Sequence, residues 1–483
     1  MMLQLLRLTA PEIVVALTGL LVLVLDLSFL HRATLGFRFR CSAFASCAGC
    51  VIALIVLWRM AIAVSLPSEI LVVNPLTQVV QIALLVLAIL TLLLVASARF
   101  TKHAGEYCAL VLFATTAMML LVTTRNLLMI FICIEFLSLS LYILTGFDKE
   151  NAAAAEAALK YFLFGGMSAG ILLFGMSLLY GISGSLALGR IAIALNASPG
   201  DPLLLLAIVM VLTGFGFKIA AAPFHMWAPE VYQGAPTCSA AVVASSSKVA
   251  GLLAMFAVFY LGLMGAAPRW TPLIALVAVV SMVWGNLAAI AQTSVRRVMA
   301  YSAIGHAGYM LIALAVHSRE TLIAAVYYVI TYALATLGAF AVLCALDGEK
   351  IDSVADFRGL GKRAPGVSLC LLIFLLSLAG IPPLAGFFGK FYVFVSALDA
   401  TDHPRWLWLV LLALAMSVVS FYYYLRILKQ AYVSEPAPGA GAISIPATTR
   451  VALWTTAALV LLLGCWPDLV LRRVVAAVGG VFH

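Results

Sequence analysis

Fourteen mostly apolar stretches, each about the twenty residues that a helix needs to cross a bilayer, follow one another along the 483-residue chain. The connections between them are too short to hold a separate soluble domain. The pattern predicts an all-α polytopic membrane protein, a single membrane domain over residues 1–483. Numbered as spans 1 to 14, the stretches lie near 11–30, 41–63, 76–98, 106–123, 127–146, 160–182, 203–224, 237–264, 271–292, 298–317, 321–346, 366–398, 405–430 and 451–471.

The composition of the chain excludes a soluble fold. Apolar residues make up 65% of the sequence and charged residues only 10%, whereas soluble domains are roughly 25% charged. A soluble protein of this length must still place many charged and polar residues on the exterior that meets water, and this sequence has too few of them. The net charge of +9 comes from basic residues in short loops, without the aromatic residues that accompany nucleic-acid binding. We therefore expect the lipid bilayer, and not nucleic acid, to surround this chain.

The distribution of Lys and Arg predicts the orientation of the spans. The loops after odd-numbered spans carry the denser basic clusters, such as Arg296–Arg297 and Lys362–Arg363. By the positive-inside rule these loops are cytoplasmic, and both termini lie on the outer side of the membrane. An even number of spans also places the two termini on one side, so the two inferences agree.

Two spans are interrupted by proline. Span 7 runs into Pro223, and span 12 contains Pro382 and Pro383, residues that remove a backbone donor and break helices. Broken backbone persists at membrane depth only where protein or water satisfies it, and in transporters paired broken helices mark the ion site. Because the breaks are five spans apart, we expect two inverted five-helix repeats, about 106–264 and 271–430, with peripheral helices in about 1–100 and a C-terminal helix at about 451–471.

Four ionisable residues lie deep inside apolar spans: Glu135, Lys218, Lys248 and Lys390. Each charge at the bilayer centre costs roughly 2.5–3.5 kcal/mol. Ion pairs that only hold helices in register are the structural alternative, but one carboxylate cannot neutralise three lysines. Burial disfavours an ammonium group and a nearby carboxylate favours it, so a lysine under both influences can load and release a proton. We therefore interpret the four residues as a proton path, and expect Asp26, near the end of span 1, to be solvated.

Three further residues are secondary candidates. His306 lies in the middle of span 10 among small residues, where it either bridges the two lysine-bearing halves or is a satisfied core histidine. His225 follows Pro223 and either lines a water path or caps the break. Lys160 begins span 6 and either reaches the level of Glu135 or stays at the cytoplasmic interface.

No pattern in the sequence predicts a cofactor or a metal in this chain. Cys47 and Cys50 form a CxxC pair without a second pair or a nearby histidine, which favours packing over a metal or redox site. There is no glycine-rich dinucleotide fingerprint after a strand and no cysteine array of the kind that holds iron–sulfur clusters.

Five motifs resemble the antiporter-like membrane subunits of respiratory complex I, in particular the subunit N family of the bacterial NADH–quinone oxidoreductases, the counterpart of mitochondrial ND-two. The resemblance covers essentially the whole chain. Its departures are Thr237-Cys-Ser-Ala and the serines before Lys248, where the family more often has Thr-Pro and Thr or Val. The motifs are Glu-Phe-Leu-Ser-Leu-Ser-Leu-Tyr at 135–142, Glu-Ala-Ala-Leu-Lys-Tyr-Phe-Leu at 156–163, Phe-Lys-Ile-Ala-Ala-Ala-Pro-Phe-His-Met-Trp at 217–227 with its continuation to 237, Arg-Arg-Val-Met-Ala-Tyr-Ser-Ala-Ile-Gly-His at 296–306, and Leu-Ala-Gly-Ile-Pro-Pro-Leu-Ala-Gly-Phe-Phe-Gly-Lys at 378–390.

The resemblance implies roles for the matching residues. Glu135 and Lys218 would gate proton uptake, Lys248 would be the central lysine and Lys390 the lysine at the proton exit, while Lys160 matches a lysine at the head of the sixth helix. The family also implies that this subunit couples proton pumping to NADH oxidation and quinone reduction in other subunits.

The family further implies a location and a set of partners. NADH, FMN, iron–sulfur clusters and quinone would belong to the other membrane and peripheral subunits of the complex, in a bacterial inner membrane with both termini periplasmic. An Mrp-type cation/proton antiporter subunit is the alternative function, and a structural membrane scaffold is the third hypothesis.

Overall fold

The computed structural model describes residues 2–60, 64–65, 70–197, 202–349, 351–400, 403–439 and 441–479. Over these residues thirteen helices are at least 18 residues long and apolar enough to cross a membrane. They are Ala10–Leu30, Leu35–Arg59, Pro75–Val95, Ala104–Thr123, Leu127–Thr145, Ala152–Ser183, Pro202–Ile219, Thr237–Gly262, Met264–Ile290, Val295–Val316, Arg319–Glu349, Arg405–Tyr432 and Ala447–Cys465.

The one remaining predicted span, span 12, consists of two shorter helices, Pro365–Ala379 and Ala385–Leu398. The predicted all-helical, multi-pass architecture is therefore confirmed. The largest boundary difference is in span 6, whose helix begins at Ala152 and not at residue 160, so Lys160 lies within the helix. The helix of span 2 ends at Arg59, and residues 61–63 of its predicted end lie outside the described part of the chain.

Short elements connect the spans. Two antiparallel strands of two residues each, Val64–Ser65 and Val72–Val73, form a small ribbon before span 3. The further helices are Met2–Leu8, Leu188–Ala197, Trp227–Gly234, Leu360–Arg363 and Asp468–Gly479, with a 3-10 helix at Val354–Phe357.

Spans 8, 10 and 11 form the interior of the bundle. Protein buries 89% of the most apolar part of span 8 and 94% of that of spans 10 and 11, against 22% for span 1. Small residues permit this close packing: a Cβ atom on Gly285 of span 9 would lie 2.5 Å from the backbone nitrogen of Gly305 in span 10. The outer spans expose leucine, phenylalanine and other apolar side chains, which suit contact with lipid.

The breaks in spans 7 and 12 occur where proline predicts them. The helix of span 7 ends at Ile219, Ala220 adopts a left-handed conformation (φ 56°), and a helix resumes at Trp227. In span 12, Gly380 is left-handed (φ 90°) between the two helices. The bonds before Pro223 and Pro383 are cis. Both predicted broken helices are thus confirmed.

Span 8 is also interrupted, at a position that the sequence analysis did not identify. Ser245 (φ −112°, ψ −83°) separates the helices Thr237–Ala244 and Ser246–Ala257. No proline or glycine marks this point. The Ser245 hydroxyl donates to the Ala241 carbonyl at 2.5 Å, a side-chain to backbone bond of the kind that bends helices.

Asp26 is completely buried, and the expectation that it would be solvated is wrong. Its carboxylate accepts hydrogen bonds from the Arg38 guanidinium at 2.6 and 2.8 Å and from the backbone N–H of Gly105 at 3.0 Å. The turn after span 1 brings Arg38 back onto the end of that span, and span 4 covers the pair.

Cys238 of span 8 and Cys344 of span 11 lie with their Sγ atoms 3.6 Å apart. Because the two sulfur atoms are already in contact and an S–S bond is about 2.05 Å long, only a small side-chain shift is needed, and we expect copper phenanthroline to oxidise the two thiols to a disulfide, each sulfur losing one hydrogen. Mass spectrometry of unreduced proteolytic fragments should show the joined peptides. A Cys238→Ser variant is the control, and equal alkylation of both thiols before and after oxidation would contradict this packing.

Candidate functional site

The candidate site is the set of four charged residues Glu135, Lys218, Lys248 and Lys390, here called the charged row. Spans 5, 7, 8 and 12 supply one residue each. The three lysines are 3%, 4% and 4% exposed, and the carboxylate is half-buried. The structure therefore places all three lysines inside the bundle, on or beside its interrupted helices.

Glu135 of span 5 and Lys218 of span 7 are not in direct contact. The Lys218 ammonium donates a hydrogen bond to the Ser138 hydroxyl at 3.0 Å, and Ser138 lies one helical turn after Glu135 on span 5. Among the described residues, no ion pair within 4.0 Å includes Glu135. The carboxylate and the ammonium nevertheless act on each other electrostatically, and Ser138 links Lys218 to the helix that carries Glu135.

Lys218 lies directly against span 8. A Cβ atom on Gly251 would be 3.1 Å from Cγ of Lys218, so this glycine leaves the room that the lysine stem occupies. Gly251 follows Lys248 by three positions and shares its helix face. The two ammonium groups therefore face the same region between spans 7 and 8, where they repel each other.

Lys248 has no hydrogen-bond partner for its Nζ atom within the part of the chain that the structure describes. The atom lies 5.0 Å from the ring centroid of Trp227, the first residue of the helix after the span 7 break. The negative face of an indole ring attracts a cation. This contact offers an ammonium group partial compensation without fixing it in an ion pair.

His306 contacts the side chains of three tyrosines. Its Nδ1 atom is 2.7 Å from the Tyr328 hydroxyl, and its Nε2 atom is 3.4 Å from that of Tyr424. Its ring centroid lies 5.0 Å from that of Tyr332, whose hydroxyl donates to the carbonyl of Ala244 at 3.4 Å. Because Ala244 ends the first helix of span 8, Tyr332 connects the break before Lys248 to His306.

Lys390 lies on the helix that follows the break of span 12, and its side chain reaches back to Gly380 in that break. Its Nζ atom donates to the Ala379 carbonyl at 3.2 Å and to the Ser417 hydroxyl at 2.9 Å, and it lies 4.9 Å from the ring centroid of Tyr309. Ala379 is the last residue of its helix, whose final carbonyls have no intrahelical partner. The break at Gly380 thus supplies an acceptor for a buried ammonium group.

Lys160 pairs with two carboxylates, neither of which is Glu135. Its ammonium pairs with Glu156 at 2.6 Å and Glu230 at 3.2 Å, and its side chain is 38% exposed. Glu230 also pairs with Arg297 at 3.1 Å. Burial opposes ionisation of Glu230, but hydrogen bonds from Arg297 and Lys160 outweigh it and hold the pKa of that carboxyl below its ordinary value. Lys160 therefore belongs to an ion-pair network near the N-terminal end of span 6.

His225 lies at the surface side of the span 7 break. It lines a cleft of about 510 Å³ together with Glu230, Arg297 and Tyr301. Its Nδ1 atom is buried and has no hydrogen-bond partner among the described residues. The cleft therefore extends from the span 7 break at His225 to Glu230 and Arg297, which belong to the ion-pair network around Lys160.

Several hydroxyl groups of the site escaped the sequence analysis. Serines and tyrosines are common in membrane helices, and their contacts depend on neighbouring spans that the sequence does not reveal. One signal was present: tyrosines normally gather at the membrane interfaces, whereas these lie near span centres. The residues are Ser138, Tyr309, Tyr328, Tyr332, Ser417 and Tyr424.

Metal binding finds no support in the geometry. Across the described ranges, no group of three or more His, Cys, Asp or Glu side chains is arranged to hold a metal ion.

Comparisons with known proteins show similarity in sequence and in fold. Residues 124–420 match the family model described as NADH:quinone oxidoreductase/Mrp antiporter, TM. Subunit N 2 of the NADH-quinone oxidoreductase from Acidobacterium capsulatum is 53% identical, over 97% of this chain and 98% of that protein. A chain of respiratory complex I from Thermus thermophilus superposes with a TM-score of 0.80 at 34% identity, covering 97% of this chain and all of that one.

The structure of an Mrp complex from a Dietzia species contains a chain with a TM-score of 0.84 at 20% identity, covering 98% of this chain and 97% of that one. At this identity the likeness shows a shared fold alone.

Proposed function

The chain belongs to the subunit N family of the proton-translocating NADH–quinone oxidoreductases, and we propose that Glu135, Lys218, Lys248 and Lys390 carry protons through it. As such a subunit it is part of a translocase and assembles with the other subunits of respiratory complex I. Under the proposal, Glu135 and Lys218 control proton uptake, Lys248 holds the proton between them and the second half, and Lys390 passes it towards the exit.

One observation carries the proposal: three buried lysines without a counter-charge in contact. None of the three forms an ion pair with any carboxylate that the structure describes. Side chains that only staple helices need that partner, because an unpaired buried charge is costly. Moving one charge against 100 mV takes about 2.3 kcal/mol, which corresponds to less than two units of pKa change. A rearrangement of neighbouring charges can change the pKa of a buried lysine by that amount.

His306 supplies the connection between Lys248 and Lys390. Tyr332 reaches the span 8 break on one side of the histidine, and His306 and Lys390 act on each other electrostatically on the other. Imidazole and hydroxyl groups both donate and accept hydrogen bonds, so they can hand a proton onward together with water. His225 and its cleft would lie on the access side.

The interrupted spans support the proposed repeats at about 106–264 and 271–430. Spans 7 and 12 each occupy the fourth position of a five-span unit, and each contains a helix break beside a buried lysine. A unit of five spans crosses the membrane an odd number of times, so consecutive units have opposite orientation. The peripheral helices of about 1–100 and the C-terminal helix would flank this core.

Ser138 offers a graded test of the uptake end. Ser138→Ala removes the hydroxyl that Lys218 contacts, and a hydrogen bond to a charged group contributes about 1.5–3 kcal/mol. We expect proton transfer through this chain to fall roughly tenfold while the complex assembles normally. The measurement is NADH-driven proton uptake in proteoliposomes. Ser177→Ala, at a surface serine that bonds only its own helix, is the matched control, and equal rates in the two variants would contradict the role.

The electron chemistry lies outside this chain in our proposal. NADH, FMN, the iron–sulfur clusters and quinone would bind to partner subunits. Membership of this family supports a bacterial inner membrane location, and the denser basic loops after odd-numbered spans support periplasmic termini.

The decisive experiment is purification through an affinity tag on this chain. We expect a complex that oxidises NADH, reduces quinone and pumps protons when reconstituted. A complex without NADH-oxidising subunits that exchanges a cation for protons would support the Mrp-type alternative.

A further inference from the structure

Glu12 and Gln81 form a buried polar pair outside the charged row. Glu12 lies in the first turn of span 1 and Gln81 in the second turn of span 3; their side chains are 2% and 1% exposed. The Gln81 amide donates to Glu12 Oε1 at 2.6 Å. Two atoms of the same pair, Glu12 Oε2 and Gln81 Oε1, are buried and have no hydrogen-bond partner among the described residues.

An ionised Glu12 does not fit this environment. No ion pair among the described residues includes its carboxyl group, and a buried carboxylate without a cation is costly. Both unpartnered atoms would then be acceptors, and a buried acceptor without a donor loses the full free energy of its hydration.

A neutral Glu12 satisfies both atoms at once. A protonated carboxyl group has one O–H donor and an amide has one acceptor oxygen, so the acid proton can bond to Gln81 Oε1 while the amide keeps its bond to Glu12 Oε1. We propose that Glu12 is a proton-binding site, and that its proton completes a two-bond acid–amide latch between spans 1 and 3.

The position of the latch gives the neutral state a consequence. Glu12 lies near Cys133 of span 5, two positions before Glu135. A negative charge on Glu12 would therefore act on the helix that carries Glu135. With its proton, Glu12 adds no negative charge beside that helix. This inference concerns a group outside the charged row and stands whether or not the row conducts protons.

Infrared difference spectroscopy of the intact complex tests the protonation state. At pH 6, the spectrum of wild type minus Glu12→Gln should contain the C=O band of a protonated carboxyl group, and this band should move to lower frequency in D2O. The matched control is Gln78→Met, one turn before Gln81 on the same span. The Glu12 carboxyl band should still be present in the spectrum of this variant. A difference spectrum with carboxylate bands instead would overturn the proposal.

Rescue by the isosteric amide provides the second readout. Glu12→Gln can form the same two bonds with Gln81, so we expect the rate of thermal inactivation of the complex to stay within about twofold of wild type. Glu12→Ala and Gln81→Met leave buried polar atoms unpartnered and should speed inactivation roughly tenfold. If Glu12→Gln is as unstable as Glu12→Ala, the side chain is not a neutral acid and the proposal fails.

Discussion

Replacing Lys390 with methionine should abolish proton transfer through this chain while quinone reduction continues at a lower rate. Methionine keeps the length and apolar packing of the stem but removes the group that contacts Ala379 and Ser417. Two hydrogen bonds to a charged group, at about 1.5–3 kcal/mol each, correspond to well over a tenfold loss of transfer. Proton uptake and NADH-dependent quinone reduction, measured on the same proteoliposomes, separate the two effects.

The matched control for this prediction is Lys429→Met. Lys429 is exposed at the end of span 13, so its loss should leave the number of protons pumped per electron unchanged. Normal proton pumping by an assembled, quinone-reducing Lys390→Met complex would remove that residue from the path.

Lys218→Met should have a double effect, on proton transfer and on stability. Removal of the ammonium leaves Glu135 half-buried without its cation, and breaking a buried ion pair costs about 3–5 kcal/mol. Because the two groups are not in direct contact, we expect the stability effect to fall below this range. Proton transfer should fall at least tenfold, and thermal inactivation of the complex should become faster.

The double variant Glu135→Gln/Lys218→Met separates the two effects. It removes the uncompensated carboxylate, so stability should return towards wild type, while proton transfer stays lost. A double-mutant cycle then gives the coupling between the two residues. Strictly additive stability effects would show that Glu135 and Lys218 do not act on each other.

Much of the fold follows from the sequence because the bilayer is so restrictive a solvent. Every backbone polar group must be satisfied within the span, so apolar length alone defines the fourteen spans, and proline marks the breaks at Pro223 and Pro383. The break at Ser245 has no such mark. The Ser245 hydroxyl bonds to the carbonyl four residues earlier, but Ser46 and Ser138 make the same bond within unbroken helices, so a serine alone does not identify a break.

The candidate site was only partly predictable. Buried charges are conspicuous in an apolar sequence, and the four members of the charged row were found on that basis. Their contacts were not, because they depend on side chains far away in sequence. Lys160 illustrates the difficulty: its partner Glu230 lies seventy positions later and is placed by the helix that follows the span 7 break. The sequence left its position open, and tertiary packing decided it.

The central claim is that the charged row is a hydrated path for protons, and an experimental density map of the assembled complex that resolves ordered water tests it most directly. Lys248 is the position to inspect, because its Nζ atom has no protein hydrogen-bond partner among the described residues. We predict water molecules bonded to this atom and continuous with Lys218 on one side and with Tyr332 and His306 on the other. A dry, apolar enclosure around Lys248 that separates it from both neighbours would contradict the proposed path.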